Sequence, residues 1–170
     1  MKSLIKVPDL FTIGNLALGL LAIFSAMDGN LPGAALLILG SMVLDALDGK
    51  VALWLNQQNP MGKQLDSLAD LVSFGVAPAV IFHQSGAMEN QVLQSLVAVF
   101  FVSCGMLRLA RYNISEGKGF EGVPITVNGV LFPVLALMAV LFPSLYQIWP
   151  ILLVIQGALM ISTIKIARLF

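Results

Sequence analysis

Charged residues are scarce in this sequence. Asp, Glu, Lys and Arg make up 11% of its 170 residues, whereas 58% are hydrophobic. A soluble domain has about 25% charged and about 45–50% apolar residues. With a mean hydropathy of +0.93, the composition excludes a sizeable soluble domain and predicts an integral membrane protein.

Cysteine and histidine are almost absent, with one residue of each. The single cysteine, Cys104, excludes an internal disulfide and lies in an apolar run, where we expect a small buried side chain. The single histidine, His83, has no second histidine near it. We therefore interpret it as an interfacial side chain rather than as a metal ligand.

Long apolar runs are what the sequence has in abundance. A membrane-spanning helix needs about 20 predominantly apolar residues. The runs that satisfy this length predict six spans: Leu10–Met27, Pro32–Trp54, Met61–Ser85, Gln91–Tyr112, Pro124–Leu141 and Ile148–Arg168. The predicted fold is thus an all-α integral membrane protein that forms one domain over residues 1–170. Residues 1–9 would form a short juxtamembrane segment at the membrane surface.

The basic residues fall on one side of this six-span arrangement. All nine lie at the termini, in the second and fourth loops or at the span ends that border those loops: Lys2, Lys6, Lys50, Lys63, Arg108, Arg111, Lys118, Lys165 and Arg168. Cytoplasmic loops carry the excess of Lys and Arg, so both termini are predicted to be cytoplasmic. Tyr146 and Trp149 would then anchor the opposite interface.

Four aspartates interrupt the second and third apolar runs. Each would cost about 2.5–3.5 kcal/mol at bilayer depth, and an uncompensated set of four would cost about 10 kcal/mol. At helical spacing they fall on two stripes that also carry small residues, namely Asp45, Asp48, Gly49 and Ala52 on one helix and Gly62, Asp66 and Asp70 on the next. Residues spaced by three or four lie on one helical face.

An antiparallel hairpin of these two helices would bring the acidic stripes together. Asp48 and Asp66 are equidistant from a turn centred near Gln57, and Asp45 and Asp70 are equidistant within a residue. At about 1.5 Å of rise per residue, the carboxylates would lie about 10–18 Å from the turn. They are therefore predicted to form two pairs just below the cytoplasmic surface.

Carboxylates held this close repel one another unless cations lie between them. Hard divalent cations, Mg²⁺ or Mn²⁺, prefer oxygen ligands. Such ions could bridge phosphate oxygens and stabilise charge that develops when a phosphoryl bond breaks. Two other interpretations stay open, namely solvated acids at helix ends and a small cation transporter built around the same carboxylates.

The two acidic stripes resemble the signature of the CDP-alcohol phosphatidyltransferases, D-x2-D-G-x2-A-R-x8-G-x3-D-x3-D. The matching positions, with every spacing kept, are Asp45, Asp48, Gly49, Ala52, Gly62, Asp66 and Asp70. One position departs, because Leu53 stands where the family has an arginine. Lys50 and Lys63 are the candidates for supplying that charge. The resemblance implies six transmembrane helices, a homodimer, two divalent metal ions and a CDP-linked lipid donor.

The flanking segments resemble the phosphatidylserine and archaetidylserine synthase branch of this family. The similarity rests on Val7–Leu16, Leu65–Pro78, Arg108–Asn113 and Phe120–Pro124. It implies transfer of a phosphatidyl or archaetidyl group from the CDP-linked lipid to the hydroxyl of L-serine, with release of CMP. Glycerol phosphate and inositol phosphate are the alternative acceptors.

The resemblance also implies roles for particular residues. Asp45, Asp48, Asp66 and Asp70 would bind the metal ions, and Asp70 would in addition act as the general base. The candidates for CDP-lipid binding are Thr12, Asn15, Asp48, Gly49, Ala52 and Gly62. Arg108 and Arg111 are the candidates for holding the carboxylate of the acceptor. The expected location is the cell membrane with the active site facing the cytoplasm, and no nucleic acid is expected as a partner.

Overall fold

The computed structural model describes residues 6–57, 59–115 and 122–164, and all regular structure in these ranges is helical. The helices are α1 (Val7–Met27), α2 (Leu31–Trp54), α3 (Pro60–Asp70), α4 (Ala77–Gln84), α5 (Gln91–Ile114), α6 (Asn128–Leu141) and α7 (Trp149–Ile161). A π-helical turn, Leu71–Val76, joins α3 to α4, and the 3₁₀ turns Ile125–Val127 and Pro143–Ile148 precede α6 and α7.

These elements form six helical segments, because α3, the π-helical turn and α4 run on as one. Among the described residues, four segments are long and apolar enough to cross a membrane: Val7–Met27, Pro60–Gln84, Gln91–Ile114 and Pro143–Ile161. The predicted all-helical membrane fold is confirmed, whereas the side on which the termini lie stays a prediction. Residues 1–5 of the predicted juxtamembrane segment lie outside the described residues, and residues 7–9 form the first turn of α1.

Asparagine side chains fix where three of the helices begin. Asn30, Asn59 and Asn90 each accept a hydrogen bond from the backbone N–H three residues further on, at 3.0, 2.8 and 3.0 Å. Such a cap satisfies one of the N–H groups that lack a partner in the first helical turn. Asn59 begins α3, so this cap sets the register of the helix that carries Asp66 and Asp70.

Helix α1 lies against α2 and against the third segment. Its buried face consists of small and polar side chains: Pro8, Asp9, Thr12, Asn15, Gly19, Ala22 and Ala26. Small residues allow membrane helices to approach closely. A Cβ atom at Gly19 would lie 2.2 Å from Oγ of Ser73 in the π-helical turn, so only glycine permits this approach.

An aromatic cluster fills the other half of the bundle, between α5, α6 and α7. The ring of Phe132 lies 5.4 Å from the rings of Phe101 and Trp149, and Tyr146 lies 5.7 Å from Trp149. The interpretation of Trp149 as an interfacial anchor is wrong, because its side chain is 0% exposed. Cys104 is buried, as predicted.

Candidate active site

Helices α2 and α3 bring three carboxylates together. One carboxylate oxygen from each of Asp45, Asp48 and Asp66 lies within 4.8 Å of the others. Asp48 is only 7% exposed, and Oδ1 of Asp66 is buried without a hydrogen-bond partner in the described part of the chain. A buried acceptor that lacks a donor is costly, and a cation is a natural partner for it.

Asp70 extends this cluster by one helical turn beyond Asp66. It is the last residue of α3, directly before the π-helical turn. Its carboxyl group is buried and lies within hydrogen-bonding reach of Asp45. Single π-helical turns inside α-helices are frequent at functional sites. The four aspartates thus form one group, which we call the carboxylate cluster.

Helix α1 contributes two polar side chains that hold this cluster from one side. Thr12 Oγ1 donates a hydrogen bond of 2.8 Å to Oδ2 of Asp48. Asn15 Nδ2 donates one of 3.3 Å to Oδ1 of Asp70. Asn15 is 0% exposed, and its role in CDP-lipid binding stays a prediction.

Two serines complete the surroundings of Asn15, and the sequence interpretation missed both. Ser41 Oγ donates to the carbonyl oxygen of Asn15 at 3.2 Å and makes a short hydrogen bond to its side-chain Oδ1. Ser73 Oγ donates to the same carbonyl at 3.1 Å. A signal was present, since Ser41 lies one turn before Asp45 and Ser73 lies three residues after Asp70. Both are fully buried polar residues at membrane depth.

The two signature glycines have different surroundings. Gly49 is exposed, and a Cβ atom there would meet nothing within 4 Å in the described part of the chain. It therefore borders open space beside the carboxylate cluster. At Gly62, by contrast, a Cβ atom would lie 3.0 Å from Oδ1 of Asp9 and 3.2 Å from Nδ2 of Asn59. Packing between the ends of α1 and α3 explains that glycine.

The two candidate acceptor-binding arginines also differ. Arg108 is 7% exposed, lies within electrostatic range of Asp70 and stacks 5.5 Å from the centre of the Tyr112 ring. Arg111 donates hydrogen bonds to the backbone carbonyls of Ile161, at 2.7 Å, and Ser162, at 3.3 Å. The structure thus places Arg108 within electrostatic range of Asp70, and Arg111 at the end of α7.

Leu53 stands where the family has an arginine, and the two lysines that could supply its charge have different surroundings. Leu53 is 64% exposed and extends from the same stretch of α2 as Gly49. Lys63 Nζ donates to the carbonyl of Tyr112 at 3.3 Å and lies 4.4 Å above its ring, so it is held on α5. Lys50 is exposed and lies one turn before Leu53.

The fold and the site define a multi-span membrane protein with a carboxylate cluster at one end of a helical hairpin. The sequence model of the CDP-alcohol phosphatidyltransferases matches residues 5–167. The chain therefore belongs to the CDP-alcohol phosphatidyltransferase family, which confirms the resemblance seen in its acidic stripes.

Curated relatives of this chain include proteins that are named for the transfer of a lipid phosphate group to serine. It is 41% identical over 132 residues to a CDP-diacylglycerol–serine O-phosphatidyltransferase of Bacillus subtilis, covering 76% of this chain and 75% of the relative. It is 40% identical over 168 residues to a protein of the same name from Methanocaldococcus jannaschii, covering 97% and 75%. An archaetidylserine synthase of Methanothermobacter thermautotrophicus is 40% identical over 134 residues, covering 76% of this chain and 57% of the relative.

Proposed function

We propose that this chain transfers a phosphatidyl or archaetidyl group from a CDP-linked lipid to the hydroxyl of L-serine and releases CMP. The single observation that carries the proposal is the carboxylate cluster, which lies inside an apolar helical bundle. The names of the relatives from Bacillus subtilis and Methanocaldococcus jannaschii support serine as the acceptor. The reaction is a step of phospholipid biosynthesis.

The cluster has the donor set that hard divalent cations need. Its ligands are all carboxylate oxygens, and the buried Oδ1 of Asp66 has no partner in the described residues. We assign Asp45, Asp48, Asp66 and Asp70 to two ions, Mg²⁺ or Mn²⁺. When bound, these ions would neutralise the donor's pyrophosphate and stabilise charge that develops on its oxygens.

Asp70 is the general base in this proposal. The serine hydroxyl oxygen forms a bond to the β-phosphorus, which carries the lipid, while Asp70 takes the hydroxyl proton. The bond from that phosphorus to the oxygen shared with CMP then breaks, and CMP leaves with the electron pair. A base must reach the hydroxyl from which it takes the proton. We assign this role to Asp70 because it is the member of the cluster within electrostatic range of Arg108, the candidate for holding the acceptor.

The donor nucleotide is assigned to the open side of α2. Gly49 and Ala52 leave room there, because a Cβ atom at Gly49 would meet nothing within 4 Å among the described residues. Thr12 and Asp48 line the adjoining α1–α2 contact. Gly62 lies at the start of α3, where it sets how closely α1 can approach. Asn15, the remaining candidate for CDP-lipid binding, is fully buried and donates to Asp70.

Arg108 is the better candidate for the carboxylate of L-serine. A guanidinium can pair with a carboxylate through two parallel hydrogen bonds. Arg108 is buried within electrostatic range of Asp70, whereas Arg111 already donates to the end of α7. In this proposal, Arg108 brings the serine hydroxyl next to Asp70, and Arg111 supports the helix that carries Arg108.

The orientation in the membrane and the assembly complete the proposal. The asymmetry of basic residues supports cytoplasmic termini and an active site that opens to the cytoplasm. Family membership supports a homodimer. Water-soluble serine and CMP would then enter and leave on the side where the cell makes and uses them.

The test is release of CMP from CDP-diacylglycerol and L-serine by the purified protein in detergent or vesicles. We expect release to require Mg²⁺ or Mn²⁺ and to be abolished in Asp70→Asn. The lipid product should have the mass of phosphatidylserine. Absence of CMP under these conditions, together with metal flux in proteoliposomes, would support the cation transporter that family membership does not favour.

The acceptor is tested separately by offering L-serine, glycerol phosphate and inositol phosphate in parallel. A preference for either phosphorylated polyol would overturn the assignment of serine while leaving the reaction class intact. CDP-archaeol offered beside CDP-diacylglycerol distinguishes the two lipid donors.

A further inference from the structure

The side-chain amide of Asn15 has one defined orientation. Its Oδ1 accepts the short hydrogen bond from Ser41 Oγ, and its Nδ2 donates to Oδ1 of Asp70. A serine hydroxyl can donate or accept, whereas an ionised carboxylate can only accept, so Asp70 requires the Nδ2 end of the amide to face it. Ser41 donates to Oδ1 and so holds the opposite end of the Asn15 amide in place.

The backbone of Asn15 is held as firmly as its side chain. Its carbonyl oxygen accepts hydrogen bonds from Ser41 on α2 and from Ser73 in the π-helical turn, at 3.2 and 3.1 Å. Gly19, one turn further along α1, lets the π-helical turn approach to this distance. Three helical segments thus meet at one residue, and Asn15, Ser41 and Ser73 are all fully buried.

We propose that Asn15 is the positioning residue for Asp70, and that Ser41 sets its orientation. The hydrogen bond from Asn15 to Oδ1 fixes the rotation of the Asp70 carboxylate and so the direction in which it meets the acceptor hydroxyl. This inference rests on the proposed function, in which Asp70 is the base.

The contacts predict unequal effects for the three side chains. Asn15→Leu keeps a similar volume but removes the donor to Asp70. A misplacement of about 1 Å can cost about 100-fold in rate, so we expect kcat to fall by at least about tenfold. The KM values for CDP-lipid and serine should change by less than about threefold. Ser41→Ala should lower kcat by about fivefold, and Ser73→Ala by less, because Ser73 contacts only the backbone.

A double-mutant cycle separates positioning from general support of the fold. If Ser41 acts through the amide of Asn15, Ser41→Ala should lower kcat in the wild type but not further in Asn15→Leu. Additive losses of kcat would overturn the proposal. Gln94→Leu is the matched control, since Gln94 is also a buried amide and donates to the carbonyls of Phe82 and His83. It should lower Tm without lowering kcat.

The outcomes distinguish this inference from the proposed function. No CMP release by the wild-type protein would refute the proposed function itself. An active wild type, with kcat in both Asn15→Leu and Ser41→Ala within twofold of it, would refute the positioning role alone. If Asn15→Leu does not fold, Ser41→Ala still decides the matter, because Ser41→Ala with unchanged kcat would overturn the proposal.

Discussion

Thr12 of α1 donates a 2.8 Å hydrogen bond to Asp48 of α2 inside the carboxylate cluster. A hydrogen bond to a charged group contributes about 1.5–3 kcal/mol, and about 1.4 kcal/mol corresponds to a tenfold change. We expect Thr12→Val, which keeps the shape, to lower kcat/KM for the CDP-lipid by at least about tenfold. Thr12→Ser should stay within about threefold of wild type. Equal activities for the two variants would show that the hydroxyl does not matter.

The open space at Gly49 leads to a second prediction. In Gly49→Ala, the added Cβ atom would contact none of the described residues. Alanine also favours the helix over glycine by about 1 kcal/mol, so Tm should not fall. If the nucleotide lies there, the larger Gly49→Leu should raise KM for the CDP-lipid by about tenfold or more at unchanged Tm. The matched control is Gly19→Ala, which collides with Ser73 and should lower Tm. Wild-type kinetics in Gly49→Leu would place the nucleotide elsewhere.

The different contacts of Arg108 and Arg111 lead to a third prediction. Arg108→Met should raise KM for L-serine by about tenfold or more, because the acceptor's carboxylate loses its partner. Arg111→Met should lower Tm, since two backbone carbonyls at the end of α7 lose their donor, and its KM for serine should change little. Initial rates over a range of serine concentrations and thermal melts of both variants provide the comparison. A raised KM for serine in Arg111→Met, with an unchanged KM in Arg108→Met, would show that Arg111 binds the acceptor instead.

Leu53 leads to a fourth prediction. Its side chain is exposed beside the open face of Gly49, so Leu53→Arg introduces the family's residue without a clash. We expect a lower KM for the CDP-lipid, by about threefold to tenfold, because an arginine fork pairs well with phosphate. Leu53→Lys should have a smaller effect and Leu53→Met none. A higher KM in Leu53→Arg would show that this site binds the donor without a charge at that position.

The sequence predicted the parts of this structure that depend on helical periodicity. Asp45, Asp48 and Asp66 converge because residues spaced by three or four share a helical face and because a short turn joins α2 to α3. Apolar length predicted six spans; the described residues form six helical segments, four of which are long and apolar enough to cross a membrane. Helical spacing and apolar length both depend on residues close together in the sequence, so a single sequence is enough to predict them.

What the sequence did not predict depends on contacts between distant segments. The π-helical turn is a short, mainly apolar stretch. Its hydrophobic pattern therefore does not distinguish it from a turn of α-helix. Ser41 and Ser73 became part of the site only when α1 was packed against both segments. Trp149 resembled an interfacial anchor because of its position near a helix end, but the rings of Phe132 and Tyr146 enclose it.

The open flank at Gly49 also bears on how a lipid would reach the site. Lifting an acyl chain out of a bilayer costs about 0.8 kcal/mol per methylene group, so a two-tailed donor would hardly ever leave the membrane to bind. The exposed apolar side chain of Leu53, which lies on the same helical face as Gly49, would instead touch the tails of the surrounding lipids. A donor could then arrive by lateral diffusion with its tails still in the bilayer. For such an enzyme, the relevant substrate concentration is the mole fraction of CDP-lipid in the leaflet rather than its amount per volume.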